Sequence, residues 1–160
     1  MEEQKKLIKV LELVWWIFTV IVVYLVIRPI LDNFTEFEYI WLNIFYIVVL
    51  ITYARHIFLL KYTYLAKAEK VKVFLIFFSI PLVFFLMWMI TNFQTFLDND
   101  GHDTIFNYLK APMSDEDKKG MLEYIHTEMM FFGFGAAFAG LLLPFRMVLS
   151  IWRQRNRGTV

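Results

Sequence analysis

The sequence has no cysteine, so disulfide bonds, thiolate metal ligands and thiol nucleophiles are excluded. Its formal net charge is only +1, and its cationic residues occur in short clusters beside apolar runs. A nucleic-acid-binding surface needs a basic stripe, whereas membrane proteins place cations next to their apolar segments. We therefore expect this chain to reside in a lipid bilayer and not to bind nucleic acid.

The motifs of common enzyme classes are also missing. The chain has no Gly-x-Ser-x-Gly elbow, no His-Glu-x-x-His motif and no glycine-rich phosphate loop. Its serines, Ser79, Ser114 and Ser150, are scattered, and none has both a histidine and an acid nearby in the sequence. We therefore expect a non-catalytic protein without a cofactor.

Long apolar runs dominate what is present. Hydrophobic residues make up 59% of the chain, against roughly 45–50% in an average soluble domain. Four runs, at about residues 11–30, 39–60, 73–93 and 129–152, are each close to the roughly 20 residues that cross a bilayer. Lipid offers the backbone no hydrogen bonds, so each run should be a helix. The sequence predicts an all-α polytopic membrane protein, a single domain over residues 1–160 with four transmembrane helices.

The distribution of lysine and arginine predicts the orientation. With a cytoplasmic N-terminus and a retained first helix, the outer side holds only Arg28, Lys110, Lys118 and Lys119. The inner side then holds the other cations, which are Lys5, Lys6, Lys9, Arg55, Lys61, Lys67, Lys70, Lys72, Arg146, Arg153, Arg155 and Arg157. Cytoplasmic loops carry such an excess. We expect an up-down bundle with both termini cytoplasmic, in a bacterial inner membrane.

The outer loop, about residues 94–125, is the largest segment outside the predicted spans. Residues 98–101 read Asp-Asn-Asp-Gly and predict a turn. Residues 104–110 predict a short amphipathic helix. Ser114, followed by three acids, is typical of an N-cap. We expect the helix that it begins to continue into the fourth span and to bend at Pro144.

Small residues recur at helical spacing in the fourth span. Gly133 and Ala137 form one small-xxx-small pair, and Ala136 and Gly140 form another. In lipid, helices associate through close backbone approach more than through hydrophobicity. We therefore expect a bulky neighbour, such as the phenylalanine-rich third span, to lie against these residues.

An outer polar cluster is predicted from Arg28, Glu123, His126 and Glu128, which all fall near the outer boundary. Glu123 and His126 share a helical face, at the Glu-x-x-His spacing that helix bundles use for metal ligands. Only one such motif is present, so the spacing alone does not decide whether a metal ion binds. The acids and the histidine in residues 98–103 are candidates for further metal ligands. Arg28 and Glu128 are expected to pair across helices, because an unpartnered charge inside a span is costly.

An inner polar cluster is predicted from Glu12, Arg55, His56 and Arg146. Glu12 is the acid near the inner end of the first span, so Arg55 or Arg146 should be its partner. The alternative is that these arginines reach lipid phosphate instead. His56 and His126 fall near opposite membrane faces, so together they cannot ligate one haem.

No single function follows from these features. We expect a small non-catalytic accessory, scaffolding or assembly subunit of a membrane complex, with other membrane subunits or a second copy as partners. The first alternative is a membrane enzyme, or a protein that binds a metal, quinone or lipid, with its site at the outer boundary. The second is a small transporter or channel, although the spans carry few polar groups at mid-depth.

Overall fold

The structure is a computed structural model that describes residues 2–156, without the side chains of residues 2, 4, 5, 100, 102 and 103. Within that range the chain forms the α-helices α1 (Glu2–Asn33), α2 (Ile40–Phe58), α3 (Glu69–Phe96), α4 (His102–Phe106) and α5 (Asp115–Arg155). Four helices are long and apolar enough to span a membrane, over Lys6–Asn33, Ile40–Phe58, Glu69–Asn99 and Asp115–Arg155. The predicted helical class, with four candidate spans, is confirmed.

Several helices extend beyond the apolar runs that predicted them. The fourth run begins near residue 129, yet α5 begins at Asp115, where the Ser114 hydroxyl accepts a hydrogen bond from the Asp117 backbone N–H at 3.2 Å. The predicted N-cap and the continuous helix are therefore confirmed. Pro144 lies inside α5, as Pro29 and Pro81 lie inside α1 and α3. Neighbouring helices commonly let membrane helices accommodate an internal proline.

The loop between α3 and α5 differs from its prediction. The turn predicted at residues 98–101 is wrong, because Leu97–Gly101 forms a π-helical turn that continues α3. The short helix predicted at 104–110 is α4, which ends at Phe106. The chain after α4 pairs with the α1–α2 connection, where Phe34 and Leu109 form a single antiparallel bridge. This loop therefore covers the α1–α2 connection.

Between α2 and α3 the chain makes two short 3₁₀ turns, at Leu60–Tyr62 and Tyr64–Ala66. Arg155 near the end of α5 bonds Glu69 at the start of α3. The region formed by this connection, the start of α1 and the end of α5 is called the basic end. The region formed by the α1–α2 connection and α4 is called the acidic end.

The core lies between α2, α3 and α5. Its α5 contribution consists of fully buried apolar residues, including Ile125, Met129, Leu143 and Met147. By contrast, α1 packs mainly on α2, and only 11% of its apolar window is buried, against 44% in α2. Most of the α1 surface is therefore left for lipid or for another chain to cover.

The small residues of α5 lie where neighbouring helices approach it. A Cβ atom added to Gly140 would lie 2.7 Å from Cγ2 of Val83 in α3. One added to Gly133 would lie 3.0 Å from Ile90 and 3.2 Å from the Tyr46 ring. Ala136 and Ala137 are also buried. The small face of α5 therefore receives side chains from both α2 and α3, and not from α3 alone.

Candidate functional site

The structure does not bring the four residues of the predicted outer cluster together. Arg28 donates from Nε to Asp32 at 3.3 Å, one turn further along α1, and its side chain is 58% exposed. The predicted Arg28–Glu128 pair is therefore wrong. A carboxylate on the same exposed helix face was within reach of Arg28, so it did not need a buried partner.

Glu123 and His126 line a cleft of about 740 Å³ at the acidic end. Their i, i+3 spacing on α5 places both side chains toward this cleft. The cleft is also lined by Gln94 near the end of α3 and by Asp98 in the π-helical turn that follows, and Lys119 adds an ammonium group. The cleft thus presents two carboxylates, a cation, an imidazole and an amide on an apolar floor of Leu97 and Leu122.

A shallow apolar groove of about 620 Å³ lies along α5 beside the cleft. His126 lines both, and the groove descends past residues that include Phe131, Phe134 and Phe138. Each of these three rings is about half exposed or more. A polar cleft joined to an apolar groove has the shape and chemistry of a site for an amphiphile.

A metal centre is not supported at this cleft. Among the side chains that the structure describes, no group of three His, Asp or Glu residues is arranged to hold a metal ion. The further donors suggested by the sequence at Asp100, His102 and Asp103 lie outside the described side chains. Glu123 and His126 therefore share the cleft with Asp98, but these three side chains are not arranged to hold one metal ion.

Glu128 lies apart from the cleft, between α5 and α2. Its side chain is buried, and its Oε1 accepts a hydrogen bond from Nδ2 of Asn43, which is 0% exposed. Three buried oxygens on these helices have no hydrogen-bond partner among the described residues, namely Asn43 Oδ1, Tyr46 Oη and Glu128 Oε2. Asn43 and Tyr46 were visible in the sequence as polar residues inside an apolar run, but nothing in it linked them to Glu128.

At the basic end, Glu12 pairs with Arg55 and not with Arg146. The guanidinium donates to both carboxylate oxygens, at 2.8 and 2.6 Å, and Arg55 is 5% exposed. Its Cζ also lies 5.7 Å from the centre of the Trp15 ring, within cation–π range. This bidentate pair joins α1 to α2.

The other two members of the predicted inner cluster bind backbone oxygens. Arg146 donates from Nε to the carbonyl of Ile57 at 2.8 Å, near the end of α2. His56 Nδ1 lies 2.6 Å from the carbonyl of Thr52, one turn earlier. The inner residues therefore do not form one chemical centre, and Arg146 instead joins α5 to the last turn of α2.

Lys72 is a buried polar residue that the sequence analysis did not single out. It is 0% exposed, and its Nζ donates to Ala66 O at 2.6 Å, Ser150 Oγ at 2.9 Å and Gln154 Oε1 at 2.7 Å. These bonds join α3 to α5 and to the preceding 3₁₀ turn. In sequence, Lys72 is one of several lysines at the edge of a span, which gives no sign of burial.

Comparisons with protein-family models, curated proteins and solved structures find no match to this chain. A functional assignment therefore depends on the contacts within the molecule.

Proposed function

We propose that this chain is a small non-catalytic integral membrane protein that serves as an accessory, scaffolding or assembly subunit of a membrane complex. The supporting observation is the uneven covering of its helices. Only 11% of the apolar window of α1 is buried, against 44% in α2, 22% in α3 and 33% in α5, so α1 has the largest apolar share left for a partner to cover. The bonds of Arg55, Lys72 and Arg146 hold helices together and form no shared reaction centre.

The proposed placement is a bacterial inner membrane, with an up-down bundle and both termini in the cytoplasm. Two contacts support this threading. Arg55 near the end of α2 pairs with Glu12 near the start of α1, and Arg155 near the end of α5 pairs with Glu69 at the start of α3. The basic end is then the cytoplasmic side, as the positive-inside rule requires. Arg157, one of the cations expected on the inner side, lies outside the described residues.

Site-specific photo-crosslinking in cells tests the subunit role. A photoreactive residue at Val20, which is 64% exposed on α1, should form a crosslink to another polypeptide or to a second copy. The matched control is Ile27 on the same helix, which is 3% exposed and should crosslink only within the chain. Crosslinks from Val20 to lipid alone, together with a monomer in mild detergent, would count against this function.

A second candidate function is binding of an amphiphile, of which a lipid is the simplest, at the cleft and groove that share His126. Mass spectrometry of the purified protein should then find a bound lipid at near one equivalent. Replacing Glu123 and His126 with glutamine should remove it, whereas Glu116→Gln, an exposed α5 acid outside the cleft, should not. Equal lipid content in both variants would exclude the cleft as the site.

A further inference from the structure

We infer that Glu128 is a proton-binding site, whose protonated carboxyl group forms a reciprocal hydrogen-bonded pair with Asn43 between α5 and α2. This inference goes beyond the proposed function and does not depend on it. It rests on the burial of both side chains, on the one bond between them and on the atoms left without a partner.

The single observed bond leaves the pair half satisfied. Asn43 donates to Glu128 Oε1, while Asn43 Oδ1 and Glu128 Oε2 are both buried without a partner among the described residues. Each of these two oxygens is an acceptor when Glu128 is ionised, so they cannot satisfy one another. A buried polar group without a hydrogen-bond partner lowers the free energy of unfolding.

One added proton gives both unpartnered oxygens a hydrogen bond. The carboxylate takes up a proton from water on Oε2 and becomes a neutral carboxylic acid, with no bond broken elsewhere. That O–H is then a donor for Asn43 Oδ1, while the Asn43 amide continues to donate to Oε1. A carboxylic acid and a primary amide are complementary in this way, because each supplies one donor and one acceptor.

The surroundings of Glu128 supply no charge that would favour its ionised form. Within the described residues it has no ion pair, and Arg28, its predicted partner, bonds to Asp32 instead. On its own helix the nearest titratable group facing the bundle is Tyr124, whose hydroxyl donates to the carbonyl of Val26 in α1 at 2.7 Å. An unpaired charge in such a place is expensive in a membrane.

Among the described residues of α2 and α3, no charged side chain forms an ion pair with Glu128. On α2 the titratable group is Tyr46, one turn from Asn43 and 1% exposed. On α3, Ile90 lies against Gly133 of α5, and it is apolar and buried. Glu123 and His126 are on α5 but line the cleft on another face. The protonation of Glu128 is therefore governed by burial and by Asn43.

This pair makes the contact between α2 and α5 sensitive to its proton. If the proton leaves, a carboxylate without a counter-ion remains beside an amide oxygen that it cannot bond. Water must then enter between the helices, or the helices must separate. Proton binding at Glu128 thus stabilises the contact between α2 and α5 at the acidic end.

Infrared spectroscopy of the full chain in detergent at neutral pH tests the inference. The wild type should show the carbonyl stretching band of a protonated carboxylic acid. Glu128→Gln should abolish the band, whereas Glu123→Gln, which removes an exposed acid on the same helix, should retain it. Absence of the band from the wild type, or its persistence in Glu128→Gln, would overturn the proposal.

One stability measurement and one further infrared spectrum complete the test. Glutamine reproduces the donor and acceptor of the neutral acid, so Glu128→Gln should melt at or above the wild-type temperature. A large loss of stability, or failure to fold, would show that the charge is needed and would refute the neutral pair. In the exchanged variant, Asn43→Asp with Glu128→Gln, the acid and the amide swap helices. It should recover the carboxylic acid band, and its absence there would refute the reciprocal pairing.

Discussion

The Gly140→Leu variant is expected to lose about 3 kcal/mol of unfolding free energy in detergent, near the upper end of the usual cost of overpacking. The Cβ atom alone would lie 2.7 Å from Val83 Cγ2 of α3, and leucine adds three more carbon atoms beyond it. The helices would have to move apart along their contact, which also exposes Leu143 and Met147. Thermal or denaturant unfolding followed by circular dichroism measures the loss.

Gly120→Leu is the matched control, because it makes the same change in the same helix. Nothing outside the helix lies within 4 Å of a Cβ atom at this position, and the residue is exposed. Leucine favours helix over glycine by up to about 1 kcal/mol, so this variant should be as stable as the wild type or slightly more stable. If the two variants lose equal stability, close approach at Gly140 is not what holds α3 to α5.

The Glu12→Gln variant is expected to lose about 2 kcal/mol of unfolding free energy, because Arg55 is left as a buried cation without its carboxylate. The expected cost is below that of a fully buried pair, since the Glu12 side chain is 23% exposed. The contact of Arg55 with Trp15 should persist and limit the loss. Unfolding in detergent at neutral pH provides the measurement.

Asp32→Asn removes the acid of an exposed pair on the same helix. Arg28 and Asp32 are 58% and 64% exposed, so water solvates the guanidinium when its partner is lost. Exposed i, i+4 pairs contribute at most about 0.5 kcal/mol, and this variant should unfold close to the wild type. A loss as large as that of Glu12→Gln would mean that burial does not set the strength of these pairs.

The helical spans were predictable because lipid imposes two simple requirements, length and apolarity. Each of the four apolar runs found in the sequence lies inside one candidate span or extends past its end by at most two residues. The beginning of α5 was predictable for a different reason, since the Ser114 hydroxyl accepts from a free backbone N–H group and the helix dipole favours the acids in the first turn. Both signals are local and need no knowledge of neighbouring helices.

The partners of buried polar groups could not be predicted in the same way. Glu12 had two candidate arginines, and sequence alone did not choose Arg55. Glu128 was assigned to Arg28 because both lie near one boundary, but the rotation of α1 leaves Arg28 exposed. Which face of a helix meets its neighbour depends on packing, and an apolar span has little periodic signal to reveal it.

Lys72 shows the same limit in a single residue. Among the clustered lysines near residues 61–72 it is fully buried, while Lys67 and Lys70 are exposed. The difference arises because Ser150 and Gln154 of α5 lie where the Lys72 ammonium can reach them. These hydrogen bonds join residues almost 80 positions apart in the sequence, and a local sequence pattern does not predict them.

The central claim is that lipid is the medium of this fold, with the basic end on the cytoplasmic side. Because the chain has no cysteine, single-cysteine labelling tests it without background. The Lys67→Cys and Asn107→Cys variants place exposed thiols at the basic and acidic ends. In intact cells, a membrane-impermeant maleimide should label the Asn107→Cys protein at once and the Lys67→Cys protein only after lysis. Labelling of both variants in intact cells, or of neither until lysis, would contradict the proposed threading.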